Sequence, residues 1–265
     1  MPLWSTLFEN PLSQITADPA RAVAVLPCGA LETHGPHLPL GTDLVLAERL
    51  ADLLVTDMEQ DQSTGVGPVL RLPALWLGAS AEHGAGLGTL SQPEESLIAA
   101  LSGLWRGLVQ SGVRKVLMLN AHGGNVPSLA IAALRARAEY GLLAAAVHWL
   151  DFGLPDDLVP PSPAREDVHG GWLEMSLMLA LAPEQVGSEP PEAAPVTALA
   201  KTGVAALYPM GPAGWGWMTG DLSGKSWAGR PDLGSAALGA KIAAHAVAGF
   251  RRTLEDLSSA DWPVA

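Results

Sequence analysis

Residues 113–119 carry the clearest strand signal in the chain, with Val116, Leu117, Met118 and Leu119 as consecutive apolar positions. A continuous apolar run of this length reads as a strand covered on both faces. It passes directly into Asn120-Ala121-His122-Gly123-Gly124-Asn125. A helix is expected next over 126–140, with Asn125 as cap, Pro127 in the first turn and Gly141 just past the end. The same alternation recurs along the chain. Strands are expected at 22–26, 69–76 and 142–150. Helices are expected at 44–58 with Thr42 or Asp43 near the start, at 93–111 with Ser91 as cap, at 172–181 and at 234–257. Strands alternating with helices of this length define an α/β fold, a mostly parallel sheet flanked by helices on both faces. In such a sheet the ligand site lies beyond the carboxyl ends of the strands.

Length and composition bound the function. With 265 residues, 1–265 is read as one domain with a sizeable core and no internal repeat. Residues 184–195 read as a surface loop, and the glycine-rich stretch 211–229, with Trp215, Trp217 and Trp227, as an irregular excursion near a site or an interface. Lys and Arg number 15 against 27 Asp and Glu, a net charge of -12. That balance repels phosphate backbones and anionic lipid, so neither nucleic acid nor a membrane is expected as partner. The substrate is then a small molecule. The single cysteine, Cys28, allows no intrachain disulfide and reads as a buried, inert thiol. Residues 1–10 show no leader pattern, and no apolar run is long enough to span a bilayer, so the expected location is the cytoplasm.

Four polar clusters stand out, three of them just after predicted strands and one leading into the helix at 172. In the first, Glu32 and His34 are two apart, so an extended backbone points both side chains the same way. Pro36, Pro39 and Gly41 then turn the chain so that Asp43 can return to the same spot. Mixed imidazole and carboxylate ligands suit zinc, manganese or ferrous iron. Taken alone, the same residues read equally well as surface histidines and a capping aspartate. The second cluster puts His122 at the end of the clearest strand, where the sheet rule places a ligand. The third is His169-Gly170-Gly171 with Glu174, in which His169 would be a mobile imidazole suited to proton transfer near neutral pH, or an ordinary loop residue. The fourth runs from Gly78 through Ser80, Glu82 and His83 to Gly88-Thr89-Leu90; Ser80 and His83 are candidate substrate contacts. No G-x-S-x-G surrounds Ser80, which argues against a serine nucleophile. His37, His148 and His245 read as structural, and Asp221 as a brace for its loop.

Together these clusters resemble the signatures of the creatininase family. The segment from Pro27 to Asp43, containing Glu32-Thr33-His34, is similar to that family's hallmark. Asn120 to Asn125 resembles its N-x-H-G-G-N segment, Gly78 to Leu90 its G-x-S-x-E-H and G-T-L segments, and His169 to Ser176 its H-x-G-x-x-E-x-S segment. The resemblance implies a creatininase-like fold with one or two divalent metal ions (Zn, Mn or Fe). Glu32 and His34 would each take one ion, Asp43 would bridge, and His122 would join Glu32. His169 and Glu174 would be the catalytic pair, with His169 transferring protons to a leaving nitrogen after the ions activate water and polarise the substrate carbonyl. It also implies a homo-oligomer, a hexamer or another ring. Two departures argue against creatinine as substrate. Members that open creatinine have a metal-ligating glutamate two residues after the histidine matching His122, where this chain has Gly124, and a Trp-Asp pair where it has Arg165-Glu166. The expected activity is hydrolysis of a C–N bond in a small amide. A peptidase or formamide-cleaving relative is the alternative within the family, and a non-catalytic metal-binding oligomer the alternative outside it. Asn120 and Asn125 are expected to hold the second ring nitrogens of His34 and His122.

Overall fold

The computed structural model describes residues 18–61, 65–84, 86–189, 191–197, 207–210 and 214–261. Residues 1–10 and 211–213 of the glycine-rich stretch lie outside them. Among the described residues, no helix is long and apolar enough to cross a membrane.

Four parallel strands form the sheet, in the order β2-β1-β3-β4. They are β1 (Val23–Cys28), β2 (Val69–Arg71), β3 (Lys115–Asn120) and β4 (Leu143–His148). The predicted strand at 69–76 is shorter than expected. The Leu72 N–H still bonds the Val25 carbonyl of β1, but Pro73 lacks the N–H that a ladder needs, and pairing with β1 returns at an isolated bridge between Leu75 and Cys28. The expected sheet with helices on both faces is observed. Alternate residues of the central strands point to opposite layers. Val23, Val25, Leu117 and Leu119 enter the layer built with α1 (Thr42–Gln60), α4 (Trp172–Leu181) and α6 (Ala236–Ser259). Ala22, Ala24, Leu26, Val116 and Met118 enter the layer built with α2 (Glu94–Gln110) and α3 (Val126–Tyr140). A short α5 (Thr219–Ser223) lies in the glycine-rich stretch.

Each helix follows from its apolar spacing. In α1, Leu46, Leu50 and Leu54 recur every fourth residue and are fully buried, with Ala47, Ala51 and Val55 beside them. In α2, Leu97, Leu101, Trp105 and Leu108 form the buried stripe at spacings of four and three. Two cap assignments need correction. Ser91 does not cap α2; Pro93 holds the N-cap position without a side-chain bond, and Ser91 Oγ accepts from the Ser80 N–H at 2.8 Å. Asn125 stands at the N-cap of α3 but spends its side chain elsewhere, as described below. The last helix is capped by Ser235, whose oxygen accepts from the Leu238 N–H, so it begins two residues later than expected. The register brings Cys28, Asn120 and His148 level across β1, β3 and β4. The chain segments leaving that edge carry the polar clusters.

Candidate functional site

Glu32 and His34 lie on an extended segment just beyond β1. Backbone bonds from Glu32 N–H to Leu40 O and from Leu90 N–H to Leu31 O stitch it on both sides. Asp43 arrives from the first turn of α1. His122 follows β3, where the Ala121 N–H bonds the Cys28 carbonyl of β1. The sequence expectation that these four residues converge is met in the geometry. Asp43 Oδ1 lies 3.1 Å from His34 Nε2 and Asp43 Oδ2 lies 3.0 Å from His122 Nδ1. One carboxylate thus spans two imidazoles with one oxygen to each. Glu32 Oε1 faces three more ring nitrogens, His83 Nε2 at 3.2 Å, His122 Nδ1 at 3.3 Å and His169 Nδ1 at 3.6 Å. All these side chains are buried.

The tautomers follow from the carbonyls that hold the far side of each ring. A carbonyl only accepts, so the ring nitrogen it meets carries the proton. His34 Nδ1 donates to Glu32 O at 3.0 Å, and His122 Nε2 donates to Ala79 O at 2.9 Å. Once these rings give up their second proton, the nitrogens aimed at the carboxylates are the ones with lone pairs to offer. Orienting a ligand ring through its second nitrogen is usual at metal sites, but Asn120 and Asn125 are not the partners. Asn120 brackets the backbone of His122, donating to its carbonyl at 2.7 Å and accepting from its N–H at 3.2 Å. Asn125 donates to Gly29 O and accepts from Ala79 N–H, both at 3.0 Å, and so ties the loops after β1 and β2 to the start of α3.

His169 is not a mobile loop residue. Its backbone pairs with Ala228 in an antiparallel bridge, and its side chain is buried against the rings of His34 and His83, at centroid separations of 4.3 and 4.5 Å. Nε2 donates to Thr33 O at 2.6 Å, leaving the Nδ1 lone pair toward Glu32. Burial and the neighbouring His34 and His83 rings push its pKa down to about 3, so the ring is neutral near pH 7. Glu174 accepts from the Gly170 N–H at 2.6 Å and lies 3.8 Å from His34 Nε2. Burial, opposed by the His34 ring and reinforced by Asp43, lifts its pKa to about 7. Burial works against charge on His34, yet Asp43, Glu174 and Glu32 outweigh it and raise that ring to about 10. His122 is likewise held well above the ordinary histidine value, burial being outweighed by Glu32 and Asp43.

Ser80 and His83, the candidate substrate contacts, are both buried beside the cluster. Ser80 Oγ sits 3.2 Å from His122 Nε2, and His83 also meets Thr219 Oγ1 at 3.4 Å. Two site residues escaped the sequence reading. Asp167 takes the first free N–H groups of α4, and its signal was an acidic residue shortly before a helix that opens on glycine. Glu82 Oε1 lies 3.7 Å from His122 Nε2, and its signal was its place beside His83. Elsewhere the bland readings hold. Cys28 is buried and its pKa is pushed up by burial. His148 Nδ1 accepts from the Leu150 N–H, His245 Nε2 bonds Phe152 O, and Asp221 braces Met218. His37 is buried edge-on against Trp227.

The donor set can hold a metal. Glu32 Oε2 and Asp43 Oδ2 are buried without a partner of hydrogen-bonding geometry. Glu32, Asp43 and His122 offer ligand atoms within 4.8 Å of one another, and so do His34, Asp43 and Glu174. Two buried carboxylates, Glu32 and Asp43, with the partly buried Glu174 beside them, are costly unless cations compensate them. Protons on the imidazoles do so in part, and a divalent ion would do so more fully.

A parallel sheet with such a cluster at its carboxyl edge is the arrangement of a hydrolytic enzyme of the α/β class. The chain belongs to the creatininase family, whose model, described as creatinine amidohydrolase, matches residues 13–254. It is similar to the mycofactocin precursor peptide peptidase of Mycobacterium ulcerans (strain Agy99), with 32% identity over 197 residues, covering 72% of this chain and 73% of the relative. It is also similar to creatinine amidohydrolase of Pseudomonas putida, with 28% identity over 180 residues, 62% of this chain and 66% of that one. The solved structure described as creatininase Mn matches with a TM-score of 0.69 at 22% identity, over 98% of this chain and 99% of that one. At that identity the likeness shows the fold. The family makes the chain an amidohydrolase.

Proposed function

We propose that this chain hydrolyses an amide C–N bond using one or two divalent ions held by Glu32, His34, Asp43 and His122, and that the amide belongs to a peptide or peptide-derived molecule. The observation that carries the metal reading is Asp43, one oxygen toward His34 and the other toward His122 at 3.1 and 3.0 Å. A carboxylate so placed suits a bridge between two ions, with Glu32 and His122 on one side and His34 and Glu174 on the other. Bound there, a divalent ion supplies Lewis acidity, which acidifies water and polarises a carbonyl. The remaining chemistry belongs to the chain. His169, neutral with its Nδ1 lone pair toward the site, accepts a proton from the attacking water. Glu174, lifted to about 7, delivers one to the departing nitrogen. Glu32, His34, Asp43, His122 and His169 are buried, which limits competition from bulk water.

Two features support a peptide over creatinine. The name of the mycobacterial relative is that of a peptidase. The segments bordering the site also expose apolar side chains, Leu40, Leu87, Leu90 and Met218, a rim larger than one small polar ring requires. Arg165 and Glu166, at the positions of the Trp-Asp pair, are exposed instead of lining the site. The test is a panel of short peptides, formamides, cyclic amides including creatinine, and keto-inositols, given to metal-loaded protein and read by mass spectrometry. Peptide cleavage that disappears in His122→Ala is the expected result. Turnover of a cyclic amide with peptides inert overturns the substrate reading. The same panel run on protein shown to bind no metal, yet active, overturns the metal reading. The hexamer implied by the family resemblance belongs to this proposal and is checked by light scattering.

A further inference from the structure

We propose that Glu82 is the carboxylate that completes the metal centre in this chain, entering from the turn before His83 into the space left by the missing side chain at Gly124. The inference rests on the metal reading above and concerns a residue that reading does not use.

The first observation is steric. A Cβ built at Gly124 would lie 2.6 Å from Glu82 Oε1 and 2.5 Å from His122 Nε2, and would also strike the Ala79 carbonyl. Real Cβ atoms do not approach this closely, so position 124 can carry no side chain while Glu82 stands where it does. Its carboxylate reaches this region from the loop after β2, on the short helical turn Ala81–His83. The relation is reciprocal, since glycine at 124 is what admits Glu82.

The second observation concerns what Glu82 faces. Glu32, Glu82 and His83 offer ligand atoms that all lie within 4.8 Å of one another. Glu32 is buried and its Oε2 has no hydrogen-bond partner. It is shared with the group containing Asp43 and His122, so the cluster around Glu82 is continuous with the centre already described. Among the described residues, the ion-pair contact of Glu82 is with the His122 ring alone, with no lysine or arginine within reach. A carboxylate with a side chain only 19% exposed, set beside a second buried carboxylate and with neither lysine nor arginine within ion-pair distance, is placed to meet a bound cation. The turn that carries it is fixed from outside, because Thr219 Oγ1 donates to the Glu82 carbonyl at 3.2 Å.

The test measures metal, not turnover. Full-length wild type, Glu82→Gln and Glu82→Asp are loaded with Zn²⁺, dialysed, and analysed for metal content and for affinity by calorimetry, with circular dichroism confirming the fold. The expected result is that Glu82→Gln weakens one zinc about 10–100-fold, enough to lose it on dialysis, while Glu82→Asp recovers part of the affinity. Zinc content and affinity within twofold of wild type in a folded Glu82→Gln protein overturn the inference. A crystal structure of the zinc-loaded wild type decides the matter should Glu82→Gln not fold. A Glu82 oxygen about 2.0–2.2 Å from an ion supports the inference, and one beyond the coordination sphere overturns it. Wild type that takes up no zinc at all overturns the metal reading as a whole. Wild type that binds zinc indifferently to Glu82 overturns this inference alone.

Discussion

Replacing Asp167 by asparagine should lower stability measurably and slow the enzyme, although Asp167 touches no candidate ligand. Its Oδ1 accepts from the Trp172 N–H at 2.9 Å and the Arg230 N–H at 3.1 Å, and its Oδ2 accepts from the Leu173 N–H at 2.8 Å. Two of these donors belong to the first turn of α4, whose N-cap residue, Gly171, has no side chain to offer them. Room for the carboxylate comes from Gly171 and Gly229, since a Cβ at either would run into Asp167 Oδ1. The contact to Arg230 pins the strand-like segment that pairs Ala228 with His169. Asp167 therefore locks together the helix bearing Glu174 and the bridge holding His169.

The magnitude follows from which groups are orphaned. Asparagine keeps Oδ1 for Trp172 and Arg230 but turns an NH₂ toward the Leu173 N–H, leaving buried donors facing each other. An unsatisfied buried donor costs about 1–3 kcal/mol. Burial already pushes the Asp167 pKa up, so loss of the charge offsets part of that cost. A net loss of about 2 kcal/mol lowers Tm by roughly 4–8 °C for a chain of this size. Asp167→Ala, which orphans three backbone donors, should cost more than Asp167→Asn. The assay is thermal unfolding by circular dichroism on metal-free and zinc-loaded protein, joined to hydrogen exchange at Trp172, Leu173 and Arg230. A Tm within 1 °C of wild type, with those amides still protected in the alanine variant, would refute the reasoning.

His122→Ala should remove turnover and weaken the ion shared with Glu32 and Asp43, seen as lower metal content after dialysis; full metal retention would show that His122 is not a ligand. Zinc uptake near pH 7.5 should release protons. His34, raised to about 10, is charged in the metal-free protein and must give up a proton to bind an ion, and His122 is shifted in the same direction by Glu32 and Asp43. The sign is fixed: affinity rises with pH, roughly tenfold per unit for each proton displaced, until pH passes the His34 value. Calorimetry in two buffers of different ionisation heat counts those protons, and a count of zero would exclude His34. Trp105→Ala should cost about 3–5 kcal/mol in denaturant unfolding, because Trp105 is fully buried under the sheet in α2, away from the site.

How much of this was legible beforehand depends on how far each feature reaches along the chain. The alternation of apolar runs set the parallel sheet, the layers and the sheet edge that carries the site, because a strand covered on both faces and an amphipathic helix are local patterns. Glu32, His34, Asp43 and His122 were legible for a related reason, each sitting a few residues past a strand or at a helix start. What could not be read was which loop fills a space that another loop leaves empty. Gly124 signals a lost side chain, but nothing in the order of residues says that the replacement comes from the turn holding Glu82, which lies some forty positions earlier. Asp167 is the same problem in a structural role. Its three donors lie at 172, 173 and 230, so its local neighbours account for two of them and tertiary packing supplies the third. His169 was misjudged as mobile because its restraint, the pairing with Ala228, comes from a glycine- and tryptophan-rich stretch with no strand pattern of its own. Residues whose partners are near in sequence were readable, and those whose partners are brought in by the fold required the structure. It follows that variation at position 124 should be coupled to variation at 82. A non-glycine residue at 124 can be accommodated only where the residue at 82 withdraws and the Ala79 carbonyl shifts, so in this chain any substitution at Gly124 should cost zinc affinity as well as stability.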